Sequence, residues 1–204
     1  MNEPITRRNY QIYLPRIPAR YENALYEDVP KKLRELFEQI PKTMKGLYIH
    51  SAIGTGKTHI AYALYHFARL KAEIWLPNPK QFHEEKPTYR EGIPLFWNTT
   101  ELFREMRLDF DRHRESKEMP EEELMKNEGI LFLDDIGAEK PSDWVMETFY
   151  LIINKRYNEK LPIVFTSNLS IEQLAQTISD RIASRVVETC DIYELVGKDR
   201  RLKK

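Results

Sequence analysis

The sequence is poor in cysteine and has no long apolar run, and each shortage excludes a class of protein. Its one cysteine, Cys190, excludes an internal disulfide and any zinc site built from several cysteines. No stretch approaches the roughly 20 apolar residues that a membrane-spanning helix needs. The N-terminal residues also lack the apolar core of a signal peptide. We therefore expect a cytoplasmic protein that makes no membrane contact.

The chain also lacks an excess of charge of either sign. Its 204 residues include 32 basic and 32 acidic side chains, so the formal net charge is zero. Global charge therefore gives no attraction to nucleic acid, and any basic surface must be local. The length suits one domain, or one domain with a short extension.

Short apolar runs alternate with segments of helical periodicity. The runs predict strands at 46–50, 93–97, 130–133, 161–166 and 192–196. The periodic segments predict helices at 28–40, 58–70, 100–113, 142–157 and 171–187, the last broken near Ser179, with Ser142 as an N-cap. Residues 1–20 and 77–92 are proline-rich and predict an extended arm and a long surface connection. This alternation favours an α/β fold with a five-stranded parallel sheet flanked by helices.

The segment SAIGTGKT, residues 51–58, follows the first predicted strand and precedes a helix. It nearly matches the phosphate-binding pattern G-x-x-x-x-G-K-[ST], with Ser51 in place of the first glycine. Gly54 and Gly56 permit the turns that point backbone N–H groups at phosphate. Lys57 reaches the β- and γ-phosphates, and the Thr58 hydroxyl is a magnesium ligand. The candidate nucleotide-binding residues here are Ser51, Ala52, Ile53, Gly54, Thr55, Gly56, Lys57, Thr58 and His59.

Serine can still supply the loop's backbone N–H, so we expect Ser51 to alter the affinity for nucleotide without abolishing binding. A magnesium–nucleotide site also needs acids at a neighbouring strand end, and the run ILFLDD supplies Asp134 and Asp135. Adjacent side chains on a strand point to opposite sides, which predicts different roles for the two acids. We assign Asp134 to the magnesium shell and Asp135 to polarising the attacking water. Asn168 ends the next strand and would reach the same edge, where it could hold the water or the γ-phosphate.

Four segments together resemble the ATPase core of the AAA+ proteins: SAIGTGKTHIA, LFLDDIGAEKPSDWV, IVFTSNLSIEQL and SDRIASRV. Within that group they are similar to the replicative helicase loaders of DnaC/DnaI type and to the IstB transposition helpers. The resemblance spans residues 17–202. It implies a P-loop NTPase fold (AAA+ core) with no full C-terminal lid domain. We divide the chain into an N-terminal arm and short helix, residues 1–40, and an AAA+ ATPase domain, residues 41–204.

The resemblance also implies a role for each motif residue. Lys57 and Thr58 match Walker A, Asp134 and Asp135 match Walker B, and Asn168 matches sensor 1. Arg185 matches the arginine finger, with Arg181 beside it as a nucleotide-contacting residue. Asn98 or Thr99 stands where the family keeps a polar switch residue that contacts the catalytic acid, and Arg200 or Arg201 could be a sensor 2 arginine.

The function implied is an ATPase that uses ATP and Mg²⁺, oligomerises through Arg185, binds a replicative DNA helicase and binds single-stranded DNA. Arg181 and Arg185 are four residues apart and share a helix face. The alternative role of Arg185 is surface pairing, for example with Glu188. The candidate DNA contacts are Phe103, Arg104, Arg107, Phe110, Arg112 and Arg114. An amphipathic helix with a solvated charged face is the alternative there.

Two other functions share parts of the pattern. An IstB-like transposition helper has the same core and differs only in its partner. A small-molecule P-loop kinase would need a mobile lid rich in arginine, for which residues 77–92 offer Arg90 and few other bases. The T-S-N strand end and the paired arginines fit a kinase poorly.

Overall fold

A computed structural model describes residues 17–75, 94–111, 124, 127–138, 142–197 and 199. Most of the predicted arm and the connection at 77–92 lie outside these residues, as do Arg90, Arg112, Arg114, Arg200 and Arg201. The Phe110 side chain also lies outside the described part. None of the described helices has the length and apolarity needed to cross a membrane.

The described chain folds as helices around one parallel sheet. Two 3₁₀ turns, Ala19–Tyr21 and Tyr26–Asp28, come first. The helices are α1 Lys31–Thr43, α2 Lys57–Trp75, α3 Thr99–Asp111, α4 Asp143–Asn158, α5 Ile171–Thr177 and α6 Asp180–Thr189. The strands are β1 Gly46–His50, β2 Leu95–Asn98, β3 Leu131–Ile136, β4 Ile163–Ser167 and β5 Cys190–Glu194. The sheet order is β2-β3-β4-β1-β5 with every pair parallel, which confirms the predicted α/β fold.

Several element boundaries differ from the prediction for local reasons. α1 begins after Pro30, whose extended ψ of 138° keeps it outside the helix. β5 begins two residues early because Cys190 is already extended where α6 ends. The break between α5 and α6 is confirmed at Ser179, whose side chain caps α6 by accepting from the Arg181 N–H. Ser142 occupies the N-cap of α4 as predicted, but its side chain makes no capping hydrogen bond.

Two apolar layers cover the two faces of the sheet. One layer packs α3, α4 and α6 against β3 and β4 and includes Phe103, Phe149 and Val186. The other packs α1 and α2 and includes Phe37 and Ile60. Because α1 shares its layer with α2 and the sheet, it is part of the core on which the site rests. The division of the chain at residue 40 stays a prediction.

A fully buried arginine joins α4 to the start of the sheet. The Arg156 guanidinium donates to the carbonyls of Leu124 (3.3 Å), Asn127 (2.8 Å), Gly129 and Pro162 (3.2 Å). Its burial lowers the pKa of Arg156 to about 10. The sequence analysis did not single out this residue, because an arginine in an amphipathic helix is normally exposed.

Candidate nucleotide-binding site

The carboxyl ends of three strands bring the predicted site residues to one edge of the sheet. β4 lies between β1 and β3, and His50 at the end of β1 is aligned with Ser167 at the end of β4. Asp134 near the end of β3 is aligned with Asn98 at the end of β2. Residues 51–58, which we call the phosphate loop, therefore meet the two aspartates and Asn168 at one edge of the sheet. Ligands of parallel sheets commonly bind at this edge.

The phosphate loop depends on glycine at two positions. Gly54 and Gly56 have φ angles of 83° and 103°, in the region that only glycine adopts readily. The loop then enters α2 at Lys57. At Gly54 a Cβ would also lie 2.1 Å from Oδ1 of Asp199, whose side chain would have to move. Asp199 thus packs directly on the phosphate loop.

Lys57 is buried within the loop and oriented toward the end of β4. Its ammonium donates to the carbonyls of Ser51 at 3.1 Å and Ala52 at 3.0 Å, and to the Ser51 hydroxyl at 3.2 Å. It also donates to Oδ1 of Asn168 at 2.7 Å. Two predicted site residues that are far apart in sequence are therefore in direct contact.

Ser51 has a structural role at the base of the loop. Its hydroxyl lies 2.5 Å from the Thr55 hydroxyl, and the Thr55 hydroxyl donates to the Ala52 carbonyl at 3.1 Å. These hydroxyls join the two sides of the loop. The backbone N–H of Ser51 donates to the Ser167 carbonyl at 3.3 Å, so the expectation that it would serve phosphate is wrong. This N–H extends the pairing of β1 with β4, as the N–H of glycine would, and the serine hydroxyl adds the contacts with Thr55 and Lys57.

Asp134 lies in a pocket of hydroxyl groups. It is 3% exposed and accepts hydrogen bonds from Thr58 Oγ1 (3.1 Å) and Thr166 Oγ1 (2.6 Å). Burial raises the pKa of Asp134 above its usual value, although the bonds from Thr166 and Thr58 act in the opposite direction. The Thr99 hydroxyl donates to the Asp134 backbone carbonyl at 2.8 Å, and the Asn98 side chain caps α3. The sequence analysis placed Thr166 at the end of a predicted strand and gave it no role.

Asp135 differs from Asp134 in both backbone and surroundings. Its φ angle is 60°, a left-handed conformation that is uncommon for a residue other than glycine. The pairing of β3 with β4 shifts register between Leu133 and Ile136 at this point. The Asp135 N–H donates to Thr166 Oγ1 at 2.9 Å, and its carboxylate accepts from Asn168 Nδ2 at 2.8 Å. The two carboxylates therefore have separate partners, although Thr166 Oγ1 contacts both residues, and a bulge contributes to the separation. The different roles assigned to the two acids stay a prediction.

A cavity of about 450 Å³ opens above the loop. It is lined by Arg20, Tyr21, Ile53, Gly54, Gly56, Lys57, Thr58, His59, Asp135 and Asn168. Small-molecule pockets in proteins commonly have volumes of about 300–1,000 Å³.

The sequence analysis missed Arg20 and Tyr21 because it placed Arg20 at the end of an extended arm and assigned no element to Tyr21. The Tyr21 ring stacks on Tyr62 of α2, with centroids 4.7 Å apart. His59 lies 2.7 Å from Asp28, which attaches the second 3₁₀ turn to α2. These contacts hold the N-terminal turns at the cavity. Their position depends on the tertiary fold, so the spacing of residues in the sequence does not reveal it.

The donor set at the cavity fits a magnesium ion. The Thr58 hydroxyl and the Asp134 carboxylate are 3.1 Å apart and are both hard oxygen ligands. Mg²⁺ is commonly held by one or two protein oxygens, with water and substrate phosphates completing its shell. Among the residues that the structure describes, no three His, Cys, Asp or Glu side chains form a metal-binding group. The site therefore has the form expected for a magnesium ion held together with a nucleotide.

The two arginines of α6 line a different cavity. It measures about 350 Å³ and is bounded by Tyr150, Asp180, Arg181, Ser184 and Arg185. Neither arginine is among the residues that line the first cavity. The Arg185 guanidinium lies over the Tyr157 ring. Glu188 accepts a 2.6 Å hydrogen bond from Tyr157, and within the described chain no ion pair joins it to Arg185.

The predicted DNA-binding helix is only partly exposed. Phe103 is 2% exposed and packs edge-to-face on Phe149, with centroids 5.1 Å apart. The prediction that Phe103 stacks on nucleotide bases is therefore wrong, since the helical periodicity that placed it beside the arginines also directs it into the core. Arg104 and Arg107 are exposed on the opposite side of α3.

Comparison with known proteins agrees with this geometry. The model of the IstB-like ATP binding protein family matches residues 85–204, which include both aspartates, Asn168 and the two arginines of α6. The chain belongs to this family. The replicative helicase loader DnaI of Bacillus subtilis is 26% identical over 155 residues, covering 74% of this chain and 43% of DnaI. The phage-like element PBSX protein XkdC of the same organism is 33% identical over 79 residues, or 36% of this chain and 29% of XkdC. The chain thus spans less than half the length of these curated relatives.

Solved structures place this family member in the AAA+ fold. A crystal structure of DnaI matches with a TM-score of 0.66 and 26% identity, covering 91% of this chain and 95% of that one. A structure of the DnaC helicase loader matches with a TM-score of 0.66 and 23% identity, covering 88% and 100%. The replication initiator DnaA, bound to AMPPCP and single-stranded DNA, matches with a TM-score of 0.67 at 17% identity, covering 90% and 52%. The chain is therefore a member of the IstB-like ATP binding protein family with the AAA+ fold, and it resembles helicase loaders.

Proposed function

We propose that this protein is a magnesium-dependent ATPase that acts in the cytoplasm as a replicative helicase loader-like switch. One observation carries the proposal: Asn168 bridges Lys57 and Asp135 with hydrogen bonds of 2.7 and 2.8 Å. A phosphate-binding lysine and a candidate catalytic acid thus share one positioned amide. Such a set suits hydrolysis of a γ-phosphate, for which catalysis is mainly positioning and electrostatic stabilisation.

The residues of the loop would bind the triphosphate. The Lys57 ammonium donates to the carbonyls of Ser51 and Ala52, and negatively charged phosphate oxygens are stronger acceptors for it. The N-terminus of α2 lies at the same cavity, since Gly56, Lys57 and Thr58 line it, and helix N-termini favour negatively charged groups. Arg20 and Tyr21 line the outer part of the cavity. We place the base of the nucleotide against them, because an aromatic ring and a guanidinium both stack on nucleobases.

Asp134 and Asp135 would divide the chemistry. Asp134 and Thr58 hold the magnesium ion, and that ion neutralises charge on the β- and γ-phosphates when bound. Asp135 lines the cavity and orients the attacking water, accepting its proton. Asn168 fixes the Asp135 carboxylate by donating from Nδ2. Asp134 is not among the residues that line the cavity, so we assign the contact with the attacking water to Asp135 alone.

Arg185 would act on the nucleotide of a neighbouring copy. It lines a cavity separate from the phosphate loop, so its own nucleotide is not its target. Head-to-tail assembly would bring this cavity against the phosphate loop of the next subunit. Arg181 shares the cavity and would contact the same nucleotide. Binding of ATP would then favour the assembled state.

A DNA helicase and single-stranded DNA are the proposed partners. The names of the matching proteins support this, because DnaI and DnaC are helicase loaders and one DnaA structure holds single-stranded DNA. The exposed Arg104 and Arg107 of α3 are the described residues that we assign to DNA phosphates. A second function, an IstB-like transposition helper, is favoured by the family model, and only the partner distinguishes it from a loader.

Turnover measurements test the ATPase. The chain is expected to convert Mg-ATP to ADP and free phosphate slowly, and faster with single-stranded DNA. Asp135→Asn should lower turnover at least a hundredfold while Mg-ATP still binds. Asp143→Asn is the matched control, because Asp143 is an exposed acid in the first turn of α4. Equal turnover in the Asp135 variant and the wild type would reject the catalytic assignment.

Partner capture tests the loader role separately. The tagged chain is incubated with a purified replicative helicase or with a transposase, each with and without Mg-ATP. ATP-dependent retention of the helicase supports a loader. Retention of the transposase alone would replace that proposal with the transposition helper.

A further inference from the structure

The Arg185 side chain is held by two residues of the neighbouring helix. Its Cζ lies 4.2 Å from the centroid of the Tyr157 ring, well inside the range of a cation–π contact. Its Nε donates to Oδ1 of Asn154 at 3.3 Å. Both partners are on α4, which packs against α6. The guanidinium is therefore held at one face and at one edge.

The Tyr157 ring is itself fixed from α6. Its hydroxyl donates a 2.6 Å hydrogen bond to Oε1 of Glu188, three residues after Arg185. This bond to the carboxylate is the main cause that raises the pKa of Tyr157. Tyr157 thus contacts α6 twice, once through its face and once through its hydroxyl. Glu188 therefore holds the Tyr157 ring in place and does not pair directly with the Arg185 guanidinium within the described chain.

Within the described chain, this arrangement leaves the two Nη groups of Arg185 without a hydrogen bond. Arg185 lines that cavity, and within the described chain its side-chain hydrogen bond is made through Nε. An arginine that binds a phosphate does so best with its two Nη groups as a planar fork. A free arginine has many rotamers, and each must be lost on binding. Because the Nε bond and the Tyr157 ring hold the guanidinium before phosphate binds, less conformational entropy is lost on binding.

We propose that Tyr157 is the positioning residue for Arg185, holding the guanidinium ready for the γ-phosphate of a neighbouring subunit, with Asn154 setting its rotation. The inference rests on the proposed action of Arg185 in trans. Tyr157 does not contact the nucleotide, so it affects turnover only through Arg185. Its loss should lower kcat in the assembled state and leave the binding of ATP to the phosphate loop unchanged.

An asymmetric mixing experiment tests this. Lys57→Ala subunits keep Arg185 but lack a working phosphate loop, and Arg185→Ala subunits have the reverse defect. Mixed together, they should regain part of the activity. Adding Tyr157→Leu to the Lys57→Ala subunit should reduce this rescue by about three- to tenfold, the range for loss of a cation–π contact. Adding Tyr157→Leu to the Arg185→Ala subunit should leave the rescued activity unchanged, because that subunit has no Arg185 side chain to position.

Tyr157→Phe is the matched control, since it keeps the ring and loses the bond to Glu188. It should retain most of the rescue. If Tyr157→Leu lowered the rescue equally in both mixtures, its effect would be a general structural one and the proposal would be overturned. Full rescue in both mixtures would overturn it as well. Absence of any rescue in the parent mixture, with ATP binding intact, would instead overturn the action of Arg185 in trans.

A second measurement does not depend on ATP hydrolysis. The Nε–H resonance of Arg185 in the isolated chain should be distinct from that of a solvated arginine, and Tyr157→Leu should move it to the solvated position. Tyr157→Phe should leave it in place. A wild-type resonance at the solvated position would overturn the positioning role.

Discussion

Asn168 Nδ2 donates a 2.8 Å hydrogen bond to Oδ1 of Asp135, while Asn168 Oδ1 accepts from Lys57 at 2.7 Å. The ammonium can only donate and the ionised carboxylate can only accept, so the amide has one possible orientation. Asn168 therefore fixes the distance between the phosphate-binding cation and the candidate base. Two hydrogen bonds of one side chain therefore join Asn168, which follows β4, to Lys57 of α2 and Asp135 of β3, so that the three residues act as one unit.

Replacing Asn168 tests that unit. Asn168→Ala should lower kcat about a hundredfold, the scale of effect expected when a reacting group is misplaced by about 1 Å. The dissociation constant for Mg-ATP should change little, because Lys57 and the loop remain. Single-turnover hydrolysis and equilibrium binding measure the two quantities. Asn168→Asp, of nearly the same shape, should also be slow because it places a second carboxylate beside Asp135, and wild-type turnover in both variants would contradict the assignment.

Replacing Asp134 should increase the stability of the nucleotide-free chain and decrease its binding of Mg-ATP. Burial raises the pKa of Asp134, so its contribution to stability is present at low pH and is lost as the pH rises through the raised value. At neutral pH Asp134→Asn should therefore raise the melting temperature of the nucleotide-free chain, by about 2–4 °C per kcal/mol gained. The same variant should lose the additional stabilisation that Mg-ATP gives the wild type. Thermal scans with and without Mg-ATP measure both effects, and a lower melting temperature for the ligand-free variant would argue against the burial cost.

Ser51 is expected to support the loop without binding phosphate. Ser51→Ala removes the hydroxyl contacts with Thr55 and Lys57, and should lower the free energy of unfolding by about 1 kcal/mol. The affinity for ATP should weaken by no more than about fivefold, the equivalent of the same energy. Denaturation and calorimetry check these values, with Thr55→Ser as a control that keeps the second hydroxyl. A loss of affinity of a hundredfold or more would show that the serine acts on the nucleotide directly.

Arg156 is the residue whose loss should damage the fold most without touching the site. Its guanidinium is 0% exposed and serves four backbone carbonyls. Arg156→Ala removes the donor from all four, although the Pro162 carbonyl keeps its bond from the Leu131 N–H, and should cost about 3 kcal/mol or more in urea denaturation. Arg156→Lys keeps the charge but lacks the planar fork, so it should recover only part of the loss. A change below about 1 kcal/mol for the alanine variant would be inconsistent with this role.

Cys190 provides a probe of unfolding. It is the chain's one cysteine, and burial raises the pKa of its thiol to about 12. At pH 8 the thiolate fraction in the folded chain should therefore be about a thousandfold below that of a free thiol, and access is blocked as well. Reaction with a disulfide reagent should follow the unfolded population as urea is added. Fast labelling of the native chain would show that the α6–β5 junction opens.

Sequence motifs predicted which residues come together where the pattern depends on neighbouring residues. The loop from Ser51 to Thr58 could be assigned because glycine, lysine and threonine must be adjacent to cradle phosphate. Asp134 and Asn168 could be assigned because each follows an apolar run, and parallel strands end at one edge. The Ser51 N–H was misassigned, since its acceptor is Ser167 of a strand more than a hundred residues away. The base-stacking role of Phe103 failed because the helical period directs it inward.

What the sequence determined by itself is the α/β class, the phosphate loop and the residue types of the site, because these follow from local periodicity and short-range spacing. Only the tertiary structure decided that Arg20 and Tyr21 line the cavity, that Arg156 is buried, and that Tyr157 holds Arg185. Each of these contacts joins elements that are distant along the chain. Their energy comes from burial and geometry created by packing, and neither exists before the chain has folded.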